Sequence, residues 1–174
     1  HSRVTSLYAG IADPLGAWSA SESLNTAGGK LQDFAFDAHE QQQIEDQTGK
    51  GLRHVLTGHA GAIEKRVQIT LYDDFPRWAV VQVRYTNHGK QALQVRGWTN
   101  GAYSIAAQAA ADAPASQEAF WSYQSGSYQN RPDWVLPLKI GFERGNYQGM
   151  NAADYGGGTP IVDVWRRDVG IAIG

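Results

Sequence analysis

The segments 67–72 (VQITLY), 73–76 (DDFP) and 78–85 (WAVVQVRY) decide how this chain folds. Val67, Ile69 and Leu71 alternate with Gln68, Thr70 and Tyr72. Successive side chains of an extended backbone point to opposite sides, so the aliphatic set shares one face of a strand. Asp73, Asp74, Phe75 and Pro76 supply turn chemistry. The alternation then resumes, with Ala79, Val81, Val83 and Tyr85 on one side and Gln82 and Arg84 on the other. Asn87, His88, Gly89 and Lys90 make a second turn into Leu93–Trp98. The simplest reading is three consecutive antiparallel strands that bury Val67, Ile69, Leu71, Val81 and Val83 between sheets.

Working outward, strand signals recur in both directions. Phe34, Phe36 and Ala38 share one parity and Leu52–Thr57 is a further short run, punctuated by Gly28-Gly29 and by Thr48-Gly49-Lys50-Gly51. The alanine-rich stretch 101–119 is interrupted by Pro114 and reads as a long connection. Beyond it, Val135–Phe142, Pro160–Val164 and the alternating Val169, Ile171 and Ile173 are strand-like. The segment 146–158 is too long and too rich in functional side chains for a plain turn. No long amphipathic helix and no repeat of fixed period is found. The expected fold is all-β: a large antiparallel β-sandwich occupying 1–174 as a single domain.

Composition closes several doors. With 174 residues, 42% of them apolar, the chain can bury a core, and disorder is excluded. The absence of cysteine removes disulfides, thiol nucleophiles and thiolate metal sites, and leaves the compartment open, a periplasmic or secreted location included. No apolar run approaches the ~20 residues that span a bilayer as a helix, so no membrane partner is expected. The formal charge is −2 and the basic residues are scattered, which argues against nucleic acid.

Three chemical motifs fail on inspection. Gly156-Gly157-Gly158-Thr159-Pro160 lacks the lysine and hydroxyl of a phosphate loop and runs into proline. His1, His39, His54, His59 and His88 contain no ligand pair at helical spacing, so no metal and no cofactor is expected. Gly126-Ser127-Tyr128 is not a nucleophile elbow. What remains is aromatic side chains mixed with polar ones. A pyranose offers an apolar face for stacking and a rim of hydroxyls for hydrogen bonds, and Trp121, Tyr123, Arg131, Asp133, Trp134, Asn151, Asp154 and Tyr155 supply both kinds of partner. The plain alternative is that these rings fill the core and the Asp and Asn cap turns.

The run 69–87 (ITLYDDFPRWAVVQVRYTN), with 131–134 (RPDW) and 150–160 (MNAADYGGGTP), resembles the N-terminal region of α-galactosidases of glycoside hydrolase family 36, the melibiase type. The resemblance implies a β-supersandwich similar to that of galactose mutarotases, placed before a (β/α)8 barrel that carries both catalytic aspartates. No residue of this chain then inherits a catalytic role. The chain would be a non-catalytic N-terminal piece of a longer α-galactosidase-like hydrolase, a reading that fits a start at His1 and a strand pattern running up to Gly174. Its partners would be the catalytic barrel of the same polypeptide and, through the parent enzyme, a galactoside-type carbohydrate, with room for a homo-oligomer. The expected substrate contacts, chosen on side-chain chemistry, are Asp133, Trp134, Asn151, Asp154 and Tyr155. The rival reading is a free-standing carbohydrate-binding module.

Overall fold

The computed structural model describes residues 20–102, 120–123, 135–138, 142–143, 161–165 and 170–174. The chain divides into two compact units, His1–Ser104 and Ile105–Gly174. The described residues contain strands and turns and no helix, so none is long and apolar enough to cross a membrane. The fold is of an all-β sandwich type, with three antiparallel sheets among the described residues.

The described residues of the first unit hold seven strands: β1 (Glu22–Thr26), β2 (Gly29–Leu31), β3 (Ala35–Asp46), β4 (Gly49–Ala60), β5 (Ile63–Tyr72), β6 (Ala79–Asn87) and β7 (Val95–Asn100). They form a four-stranded meander, β3-β4-β5-β6, and a three-stranded sheet, β2-β1-β7. Glycines with positive φ, Gly49 at 140° and Gly61 at 58°, stand at the first and second hairpins of the meander, where a side chain would strain the backbone. Gly51 is required for a different reason. It faces Tyr72 across β4 and β5, and a Cβ there would run into the carbonyl oxygen of Leu71.

The alternation read from the sequence is realised in the register. Leu71 faces Ala79, Ile69 faces Val81, Val67 faces Val83 and Lys65 faces Tyr85, so all of them share one face. Burial along that face is uneven: Val67 is 3% exposed, whereas Leu71 and Val81 are 41% and 42% exposed. The expectation that all five aliphatic residues are buried is therefore corrected. The three-stranded sheet makes its contacts at the Ile63–Val67 end, through Glu22 of β1 and through Phe34, which follows β2. The expectation of three consecutive paired strands is corrected too. β7 follows β6 in sequence but pairs with β1 in the other sheet. The crossing is held by Asn87, whose side chain donates to the Gln91 carbonyl and accepts from the Gly89 N–H, and by the Ala27 N–H donating to the Gln94 carbonyl.

At the contact between the sheets a charged pair is buried. Lys65 Nζ lies 3.2 Å from Glu22 Oε2, with side chains 9% and 6% exposed. The Ser21 hydroxyl donates to the Glu22 carboxylate, and the Lys65 ammonium sits 4.8 Å from the centre of the Phe34 ring. The Tyr85 hydroxyl is buried beside this group and has no hydrogen-bond partner among the described residues. Burial first, and the Glu22 charge second, push its pKa up to about 12.

The second unit has one described sheet of order β11-β10-β8-β9, from β8 (Phe120–Tyr123), β9 (Val135–Leu138), β10 (Val162–Trp165) and β11 (Gly170–Ile173). Ser122 is its most buried side chain, and its hydroxyl donates to the Asp163 carbonyl at 2.7 Å. The strand signals at 135, 160 and 169 thus correspond to β9, β10 and β11. β8 has only four residues and no alternation from which it could be read.

Lys65→Met takes the Lys65 ammonium away from the buried Glu22 carboxylate and is expected to destabilise the fold by ~3–5 kcal/mol in chemical denaturation, whereas Glu22→Leu combined with Lys65→Met recovers most of the loss. Tyr85→Phe removes an unpartnered buried hydroxyl, so its stability at neutral pH should equal or exceed that of the parent. A raised phenol pKa contributes stability that is present below the unfolded value of about 10 and lost as pH rises toward about 12. The decline in melting temperature across that window should be shallower in Tyr85→Phe.

Candidate stacking platform and polar face

The face of the meander opposite Val67 is polar. Register places Arg53 beside Thr70, Val55 beside Gln68 and Gln82, Thr57 beside Arg66 and Arg84, and Glu64 beside Thr86. Two-residue periodicity dictates this arrangement, since every second residue of β5 and β6 must face away from the aliphatic set.

At the Tyr72 end of that face the polar groups join aromatic rings. The Asp46 carboxylate, at the end of β3, accepts from the Thr48 N–H at 2.9 Å and from the Tyr72 hydroxyl at 2.8 Å, while Arg53 Nη2 lies 4.0 Å from it. Arg53 Nε donates to the Thr70 hydroxyl at 3.2 Å. Thr70 and Tyr72 are buried, so this network is fixed from beneath. Trp78 stacks on Tyr72 with ring centres 5.7 Å apart and planes at 22°, and Phe75 meets Trp78 edge-on at 5.6 Å. The turn brings these rings together through Phe75 N–H donating to the Tyr72 carbonyl and Trp78 N–H donating to the Phe75 carbonyl. Trp78 remains 49% exposed. A half-open indole braced by a buried tyrosine, beside a carboxylate and a guanidinium, offers the stacking surface and the directional hydrogen bonds that a sugar ring requires.

The Thr48 N–H first, and the Tyr72 hydroxyl next, hold the Asp46 carboxyl below the usual carboxylate range. An acceptor ionised this firmly is suited to orienting a hydroxyl and unsuited to donating a proton at neutral pH.

The histidines of β3 and β4 pair locally. His39 and His54 stack with centres 5.2 Å apart, and their facing nitrogens, Nε2 and Nδ1, lie within hydrogen-bond distance at 3.0 Å. His59 Nδ1 bonds Asp37 at 2.7 Å, and His88 Nε2 lies 3.3 Å from Glu64. Among the described residues no group of three His, Cys, Asp or Glu is placed to hold a metal ion.

The substrate contacts expected from sequence, Asp133, Trp134, Asn151, Asp154 and Tyr155, lie outside the described residues, as does Arg131. Trp121 and Tyr123, also weighed as sugar partners, are on β8, where Trp121 faces Trp165 across the sheet and the Tyr123 N–H donates to Asp163 Oδ1. The Asp46, Arg53, Tyr72 and Trp78 group was not read from the sequence. Its one local signal was the Asp46-Gln47-Thr48-Gly49 turn. No family model matches the chain, and neither a curated protein nor a solved structure matches it.

The sign of the Asp46 effect on stability follows from its lowered pKa. A depressed carboxyl contributes stability above its unfolded value, near 3.9, and that contribution is lost as pH falls through the lower folded value. Denaturation profiles from pH 5 to pH 2 should therefore be flatter for Asp46→Asn than for the parent.

Proposed function

We propose that this chain is a non-catalytic β-sandwich domain of an α-galactosidase-like glycoside hydrolase, in which it supports a (β/α)8 barrel and contacts saccharide. The observation that carries the saccharide contact is Trp78, half-open and stacked on a buried Tyr72 whose hydroxyl is tied to Asp46. The enzyme family rests on the resemblance of the runs 69–87, 131–134 and 150–160. Retaining glycoside hydrolysis needs two carboxyl groups about 5 Å apart, one of them with a raised pKa to act as the acid, and the lowered pKa of Asp46 does not suit it to that acid role.

A second reading, a carbohydrate-binding module that acts by itself, is favoured by the completeness of the platform. Every residue in it comes from β3, β4, β5 or the turn after β5. The two readings share the sugar contact and differ in what else the domain needs.

Calorimetric titration of the chain with melibiose and galacto-oligosaccharides, with hydrolysis followed in the same samples, tests both. Binding without turnover is expected. Trp78→Ala should weaken it by about fivefold, the value of roughly 1 kcal/mol for an aromatic contact. Turnover by the chain would overturn the non-catalytic reading, and equal affinity of Trp78→Ala and parent would overturn the platform. Millimolar or tighter binding favours the self-sufficient module, and weaker, tryptophan-dependent binding favours the supporting domain.

A further inference from the structure

One rung of the meander runs against the ordinary preference for cross-strand pairs. Arg66 on β5 and Arg84 on β6 are directly opposite and both exposed. Like charges at facing positions, with Cβ atoms about 5 Å apart, destabilise a sheet. Neither guanidinium has an acidic partner among the described residues. Glu64, on the adjacent rung, has its carboxylate on His88 at 3.3 Å. On the other side, Gln68 and Gln82 face each other, the Gln68 amide donating to the Gln82 carbonyl at 3.1 Å. Arg66, Arg84, Gln68, Gln82 and Asn100 contribute to the lining of a cleft of about 570 Å³.

We propose that this cleft binds an acidic oligosaccharide, with Arg66 and Arg84 gripping a carboxylate or sulfate on the chain. An oxyanion between the two guanidiniums replaces a repulsion by two charge-assisted pairs, and the planar fork of arginine matches both oxyanions. The paired amides beside them present the donors and acceptors that sugar hydroxyls use. Arg66 and Thr70 lie on the same face of β5, four residues apart and so about 13 Å along the strand, which leaves room for more than one ring between the arginines and the Trp78 platform. This inference rests on the saccharide reading of that face and adds the charge of its ligand.

The test is calorimetric titration of the chain with a galacturonate trisaccharide, a sulfated galactose trisaccharide and a neutral galactose trisaccharide, at low and at raised sodium chloride. The same titrations are run on Arg66→Gln, Arg84→Gln and Trp78→Ala. Acidic ligands should bind more tightly than the neutral one at low salt, with the advantage shrinking as salt rises. Each arginine variant should lose about tenfold in affinity for the acidic ligands and nothing for the neutral one. Its melting temperature without ligand should stay level or rise, because a repulsion has been removed. Comparison of galacturonate with the sulfated sugar identifies the oxyanion. Equal affinity for charged and neutral trisaccharides overturns the proposal, as do arginine variants that bind like the parent. Displacement of the acidic sugar by an equal concentration of a DNA oligonucleotide overturns it in favour of nucleic acid. Arginine-dependent acidic binding that is indifferent to Trp78→Ala supports the anion site while removing the stacking platform.

Discussion

The Glu22–Lys65 pair is the contact on which the first unit depends, because it ties the central strand of the small sheet to the third strand of the meander. Two charges this well buried are held there at a desolvation cost of several kcal/mol per ion, which only close geometry and further partners offset. The partners are present: Ser21 donates to the carboxylate and Phe34 lies against the ammonium. An apolar contact in the same place would tolerate sliding by a residue, whereas an ion pair accepts one position only. Sliding by one residue would turn Lys65 to the opposite face of the meander, so the pair and the period of the strands enforce each other. The Tyr85 hydroxyl, which has no hydrogen-bond partner among the described residues, marks where that arrangement is imperfect.

How far the fold could be read from the residues follows from which interactions are local. β5 and β6 were legible because Val67, Ile69 and Leu71, and then Ala79, Val81 and Val83, repeat with period two on either side of an unmistakable turn. β3 was only partly legible. Of its twelve residues eleven are exposed, and a strand such as His39-Glu40-Gln41-Gln42-Gln43 has no apolar face to announce it. It is held by ladder hydrogen bonds to β4, whose positions depend on the turn at Gln47-Thr48 and on the bulge between Phe36 and Ala38. The crossing of β7 into the other sheet was illegible for the same kind of reason. Val95-Arg96-Gly97-Trp98 carries a strand signal, but its partner is chosen by β1, some seventy residues earlier.

The platform was hidden by register. Arg53 and Thr70 come together only because the ladder between β4 and β5 aligns them, and Asp46 reaches Tyr72 only because the first hairpin turns where it does. Side-chain chemistry alone drew attention instead to Asp133, Trp134, Asn151, Asp154 and Tyr155. Composition can nominate residue types for a sugar site, but convergence is a property of pairing, and pairing over long sequence distances is what a single sequence encodes least directly.

The meander divides its labour by face. On one face Val67 and Lys65 are buried against β1 and Phe34, and the order of the first unit is established there. On the other face Arg66, Arg84 and Trp78 stay exposed although none of them gains from being so: two are in mutual repulsion and the third keeps half of its indole in water. A strand optimised for stability alone would carry threonine or opposite charges at the arginine rung and would cover the ring. Stability supplied at the buried face is what allows the open face to carry these costs. The costs fall on Arg66, Arg84 and Trp78, the side chains on which the proposed saccharide contacts rest, so exposed charge and exposed ring lie on the same face of the meander.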